Sequence, residues 1–166
     1  MKTKEFFYWI LTILFIFMFQ IIFSDKIALF GAFPNLLLLG TIFFAVQAGP
    51  IEGEITGFLC GLLSDASSIF LFGSQTFMLT LIGYITGRLQ RKINEEKLIT
   101  QVVVVFLMSL LYVLGLLCFE MFFEGSIQRF KVTTSVVQPL YSTLISPIFF
   151  YILIYFNQKA HYGIRK

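Results

Sequence analysis

Charge is scarce in this chain. Aspartate, glutamate, lysine and arginine make up 13% of its 166 residues, about half the share found in an ordinary soluble domain. With a mean hydropathy of +0.88, that deficit argues against a soluble fold and for residence in lipid. Histidine is scarcer still, with His161 the one copy. A Ser-His-Asp relay would have to bring that C-terminal residue to a serine on the other membrane face or deep in the chain. Cysteine occurs twice, as Cys60 and Cys118, both within apolar runs. Two buried thiols build no disulfide framework, and no CxxC or Cys/His metal spacing exists. They read as small packing residues. The sequence also has no P-loop, no HExxH and no dinucleotide fingerprint. The expectation is a protein that is not an enzyme, with no catalytic, cofactor-binding or metal-binding residues. The net charge of +3 does not suggest nucleic acid, because the bases sit at the ends of apolar runs.

What the chain does have is phenylalanine, 22 copies, and long apolar runs. A spanning helix needs about 20 apolar residues. Six runs approach that, at 6–23, 34–48, 50–64, 74–88, 98–123 and 138–156, and little chain is left over. The pattern predicts an all-α integral membrane protein, a bundle of about six transmembrane helices forming one domain over 1–166. The first run follows a basic start but exceeds the roughly 7–15 residues of a signal h-region, and no A-x-A site follows. It reads as a retained span. Gln20 near its end is expected among the headgroups, the alternative being a hydrogen bond to another helix. Segments two to four are short. About fifteen residues rise only ~22 Å against a hydrocarbon core of ~30 Å. Thinned lipid or helix extension must cover the difference.

Local signals set the boundaries. Ser24 to Phe33 reads as a connection, and Pro34 is expected to open the second helix, since its missing N–H falls where no partner exists. Asn35 beside it lies at the membrane edge. Gly49-Pro50 is a tight break that starts the third span. Glu52 and Glu54 in the first turns complement the helix dipole. Ser64 to Ser68 forms the far turn, with Asp65 at the membrane edge. Pro139 is expected in the first turn of the sixth helix, and Pro147 to kink it. Glu120, near the end of the fifth run, is expected to reach water. No charge is expected at the midplane, which argues against an ion-coupled pump.

The charges orient the bundle. With the N-terminus in the cytoplasm and six crossings, Lys2, Lys4, Arg88, Arg91, Lys92, Lys97, Lys159, Arg165 and Lys166 are cytoplasmic, and Lys26, Arg129 and Lys131 external. Nine bases against three predict both termini inside.

One stretch organises the chain, GPIEGEITGFLCGLLSDASSIFLFGSQTFMLTLIGYITGR at 49–88. Gly53, Gly57 and Gly61 recur every fourth residue, so a helix places them on one face. Asp65 follows one turn later, and Gly73, Gly83 and Gly87 mark a second segment ending at Arg88. A glycine stripe lets two backbones approach closely, which drives helix association in lipid. It either packs the bundle internally or docks another membrane protein. The short neighbouring segments favour the internal reading.

The order FPNLLLLGTIFFAVQAGPIEGEITGFLCGLLSD, then FG at 72–73, then LTLIGYITGRLQRKI at 79–93, resembles the rod shape-determining protein MreD family, and PLYSTLISPIFFYIL at 139–153 resembles its last span. The likeness covers the chain from Phe33 onward. Its most specific positions are Gly49, Pro50, Gly53, Gly57, Gly61, Asp65, Gly73, Gly83, Gly87 and Arg88, the candidate packing or partner-interface residues. The first span matches in hydrophobicity alone. The resemblance implies a non-enzymatic scaffold subunit of the bacterial cell-elongation complex, in the cytoplasmic membrane, supporting lateral peptidoglycan synthesis and cell shape. Its implied partners are an MreC-like single-span protein, an MreB-like cytoskeletal filament, and the membrane peptidoglycan polymerase with its transpeptidase. The family bundle is also similar to the substrate-binding components of vitamin-uptake (ECF) transporters. The alternative function is therefore the substrate-binding component of a small-molecule transporter. A transporter needs a cavity with convergent polar groups. The sequence is expected to place few polar residues between its spans, which favours the scaffold.

Overall fold

The second apolar run becomes the axis of the molecule. In the computed structural model it forms α2 (Leu36–Ala48), buried from Leu36 through Phe43 and again at Ala45. A helix that is apolar on every side is one that is covered on every side. Around it stand α1 (Thr3–Ile27), α3 (Pro50–Ser67), α4 (Ser74–Leu89), α5 (Leu98–Phe123) and α6 (Val132–Ile164). The structure describes residues 3–27, 33–68, 71–89, 98–123 and 132–164, and these hold six helices and no strand. The closest pair is α3 with α4. Next come α2 with α3, α5 with α6, and α2 with α4, while α1 lies on α2 and α3. Phe43 of α2 meets Phe150 of α6 at a centroid distance of 5.5 Å, and Trp9 of α1 meets Phe44 edge-on at 6.3 Å.

Five boundaries differ from the expectations. α3 continues to Ser67, through most of the residues expected to form the far turn, and is capped at Ser68. Pro34 precedes α2 rather than opening it; Asn35 is the N-cap, its side chain accepting from the Leu38 amide at 3.0 Å. The cap residue wins because an Asx side chain satisfies an otherwise unpaired amide. α1 continues to Ile27 and takes in Asp25 and Lys26. α6 begins at Val132, so Pro139 lies inside it together with Pro147, and it runs on through Lys159 and His161 to Ile164. Pro147 cannot donate to the Thr143 carbonyl four residues back. The Ser146 hydroxyl does so instead, at 2.8 Å. Thr143 in turn donates to the Pro139 carbonyl at 2.7 Å. Hydroxyls of this kind are what allow proline inside helices in lipid.

Among the described residues, two helices contain segments long and apolar enough to cross a membrane, Thr100–Phe123 and Val136–Tyr155; Tyr8–Ile22 and Leu36–Ala48 are shorter apolar helices. The loop bases Arg91, Lys92, Lys97, Arg129 and Lys131, and the terminal Lys2, Arg165 and Lys166, lie outside the described residues.

Candidate functional site

The glycine stripe faces α4. The two helices run antiparallel in one register: Gly53 opposes Gly83, Gly57 opposes Leu79, Gly61 opposes Thr76, and Gly87 opposes Gly49-Pro50. Each step of four along α3 matches about four back along α4. A Cβ on Gly53 would stand 2.5 Å from the Gly83 carbonyl oxygen and 2.6 Å from the Ala45 side chain. On Gly57 it would collide with the Leu79 carbonyl, on Gly61 with the Thr76 backbone, and on Gly83 with the Gly53 carbonyl. On Gly87 it would stand 2.5 Å from the Pro50 Cα. Carbon atoms settle at about 3.5–4.0 Å, so no side chain fits at any of the five. Gly73 is needed for another reason. Its surroundings are open, but its φ of 95° favours glycine. Gly49 likewise has φ 109° between α2 and α3, and Pro50 takes the first helical position after it. Arg88 stands off the seam. It is exposed, donates to the Tyr84 hydroxyl at 2.8 Å and lies 5.7 Å from that ring's centroid.

Asp65 closes the far end of the seam. Its Oδ2 accepts from the Gly73 amide at 3.0 Å, the Thr76 amide at 2.9 Å and the Thr76 hydroxyl at 2.6 Å; Oδ1 accepts from the Gln75 amide at 3.2 Å. The side chain is 2% exposed. The first amides of a helix have no partner within it. Here a carboxylate from the preceding helix supplies one, and its charge faces the positive end of the α4 dipole. Asp65 is thus a cap inside the bundle, not a residue at an open edge.

Beside it lies a network that reading the sequence did not find. The Gln75 side-chain oxygen accepts from the Tyr112 hydroxyl at 3.0 Å and from Ser64, while its nitrogen donates to Ser68 at 2.6 Å. The Asn35 amide donates to the Ser142 hydroxyl at 3.1 Å, and the Leu37 amide to the Gln20 side chain at 3.1 Å. Gln20 therefore reaches another helix instead of the headgroups. The expectation of few polar residues between helices is corrected as well: Asn35, Ser64, Gln75, Ser142 and Ser146 are all buried. These side chains hydrogen-bond one another and backbone groups, many of them at helix ends. Glu120 is another correction, being 1% exposed rather than open to water. It falls in phase with the buried α5 positions Tyr112, Val113 and Leu116, a helical periodicity that could have placed it inside.

Gln20→Met keeps the length of the side chain and removes the acceptor from the Leu37 amide. An unpaired buried donor costs about 1–3 kcal/mol. The detergent-solubilised variant should melt a few degrees below the parent, whereas Phe19→Leu on the exposed side of α1 should not. Equal melting of both variants would remove the cap assigned to Gln20.

Geometry of this kind describes a helical bundle in which the buried Asn35 and Asp65 side chains hold the starts of α2 and α4 in place. Among the described residues no group of three or more His, Cys, Asp or Glu is arranged to hold a metal. The model of the rod shape-determining protein MreD family matches residues 1–160, and the chain belongs to that family. Membership assigns it to rod-shape determination and to the membrane. Comparison with the curated proteins gives no match. Comparison with the solved structures gives none either.

Proposed function

We propose that the protein is a non-enzymatic, multi-pass scaffold subunit of the bacterial cell-elongation machinery, in the cytoplasmic membrane with both termini inside. The observation that carries this reading is the seam. The Gly53, Gly57, Gly61, Gly83 and Gly87 face is filled by the protein's own backbone, so what the bundle offers to others is its outer surface. Its partners in this reading are an MreC-like single-span protein, an MreB-like filament and the peptidoglycan polymerase with its transpeptidase. The ten positions from Gly49 to Arg88 then act chiefly by fixing the α3–α4 hairpin, and only indirectly on partners. Nothing specific favours the transporter alternative: the buried Ser64, Gln75 and Tyr112 side chains hydrogen-bond one another.

Membrane orientation gives a direct test. Cysteine at position 90 or 160 should resist an impermeant thiol reagent applied to intact cells, and cysteine at position 128 should react, as the distribution of bases requires. The opposite pattern would overturn the orientation. Loss of the protein should round the cells and misplace wall synthesis, and the purified protein should retrieve its single-span partner. Saturable binding of a vitamin, with normal cell shape in the deletion, would overturn the scaffold reading.

A further inference from the structure

The exposed tyrosines lie at one level of the bundle. Among the described residues they are Tyr8 on α1, Tyr84 on α4, and Tyr151 and Tyr155 on α6. The central helix α2 gives the scale. The Asn35 amide bonds Ser142, 107 residues away, and Phe43 meets Phe150, the same separation. α2 and α6 thus run parallel in one register on both sides of Pro147. Tyr151 falls opposite Phe44, and Tyr155 opposite Ala48. On α4, a Cβ at Gly87 would strike Gly49, and Gly83 and Ala45 both crowd the place of a Cβ on Gly53. Each pair is 38 apart, 87 against 49 and 83 against 45, which sets Tyr84 opposite Val46. On α1, Trp9 meets Phe44, and Tyr8 is its neighbour. All four tyrosines therefore sit beside positions 44–48 of α2, a layer ~6 Å deep. The three helices occupy different sides: α1 packs on α2 and α3, α6 on α5 and α2, and α4 on α3, α2 and α5. Gln47, Glu54 and Arg88 are exposed within a turn of this level, and Arg88 donates to the Tyr84 hydroxyl. Toward the other end the exposed side chains of these helices are wholly apolar, from Leu11 to Ile22 on α1, at Phe77 and Leu81 on α4, and from Val136 to Ile148 on α6.

We propose that this tyrosine layer is a lipid-contact belt, which seats the bundle against the phospholipid headgroups at its Arg88 end, the cytoplasmic end in the orientation above. The inference rests on the membrane reading and adds a depth to it. A tyrosine carries an apolar ring and a polar hydroxyl, and it settles where hydrocarbon meets headgroup. A protein partner on one side would account for tyrosines on that side alone. Four at one height on three sides, with apolar surface to one end of them and charged side chains beside them, match the boundary of a bilayer. Arg88, held against Tyr84, is placed to meet lipid phosphate.

Tryptophan quenching tests the depth, with the purified protein in vesicles of phosphatidylcholine brominated either near the headgroup or near the chain end. In a Trp9→Phe background, Tyr8→Trp, Tyr84→Trp, Tyr151→Trp, Tyr155→Trp and, as the deep control, Leu144→Trp are made one at a time. Leu144 is exposed and falls opposite Leu37 in the α2–α6 register. It lies ~14 Å from the middle of the layer, near the centre of a hydrocarbon core of ~30 Å. Should Trp9→Phe fail to accumulate, Trp9 is kept and the emission of the parent subtracted. The expected result is several-fold stronger quenching by the shallow bromines than by the deep ones at all four tyrosine positions, with the order reversed at Leu144→Trp. Depths scattered among the four, with Leu144→Trp still deep, overturn the belt and leave insertion standing. Protection of any one of the four from both lipids overturns it too, since protein would then cover that side. No quenching at any site, Leu144→Trp included, would instead overturn membrane insertion itself, a distinguishable failure.

Discussion

Gly57→Ala is expected to destabilise the protein, and Gly57→Leu to prevent its accumulation. In an ordinary helix the alanine change is favourable by about 0.5–1 kcal/mol. Here the first added carbon already collides with the Leu79 carbonyl, so the sign reverses. Overpacking in a close-packed interior typically costs about 1–3 kcal/mol, and a backbone atom cannot swing aside as a side chain can. Leucine brings three more carbons into the same space. Phe58 is the control. It lies about 100° around the helix and is half exposed, so Phe58→Leu should leave thermal stability in detergent near the parent value. If Gly57→Leu folds normally but no longer retrieves its membrane partners, the stripe is a docking face, and the seam described above does not form. Full stability with full function would mean that the stripe meets lipid alone.

The second large effect is expected at Asp65. Asp65→Ala leaves the amides of Gly73, Gln75 and Thr76 and the Thr76 hydroxyl without the acceptor they share. Each unpaired buried donor costs about 1–3 kcal/mol, and the favourable charge at the head of α4 is lost too. Water entering the gap would recover part of this. A fall in melting temperature on the order of 10 °C follows for a chain of this length. Asp65→Asn should fall between parent and alanine. Its oxygen can serve the three donors gathered on Oδ2, but its amide nitrogen then faces the Gln75 N–H. Scanning calorimetry or tryptophan fluorescence in detergent measures the order. An asparagine variant as unstable as alanine would show that charge outweighs hydrogen bonding at this cap.

Helices were legible wherever their cause was local. The runs from Leu98 to Phe123 and from Pro50 onward declare themselves by apolar length and by the Gly49-Pro50 break, and the four-residue glycine spacing announces a close contact. The sequence could not say that α4 was the contact, because a stripe names one face and no partner. The register emerges from the opposing glycines Gly83 and Gly87 only once the hairpin is closed. The sequence marks Asp65 only as an edge residue, since its acceptors serve amides eight to eleven positions away. Gln20 and Tyr112 were beyond reach for the same reason: their partners lie 17 and 37 residues distant. At Glu120 nearness to a helix end suggests water, but phase on the helix decides, and it is buried with Tyr112, Val113 and Leu116. The start of α6 lies earlier than a boundary at Pro139 predicts, because the helix passes through that proline and begins at Val132.

The hydrogen bond from the Asn35 amide to Ser142 spans 107 residues, and it sets an order of assembly. The α3–α4 hairpin can close as soon as its own forty residues have left the ribosome, because its register and its cap are both internal to it. The head of α2 cannot. It waits on Gln20, which is made before it, and on Ser142, which is made 107 residues after Asn35. Until α6 arrives, the central helix of the bundle carries an amide at its entrance whose partner has not yet been synthesised. The last helix therefore serves as the closing latch of the first half of the chain, and a nascent protein halted before Ser142 holds a finished hairpin on an unfinished axis.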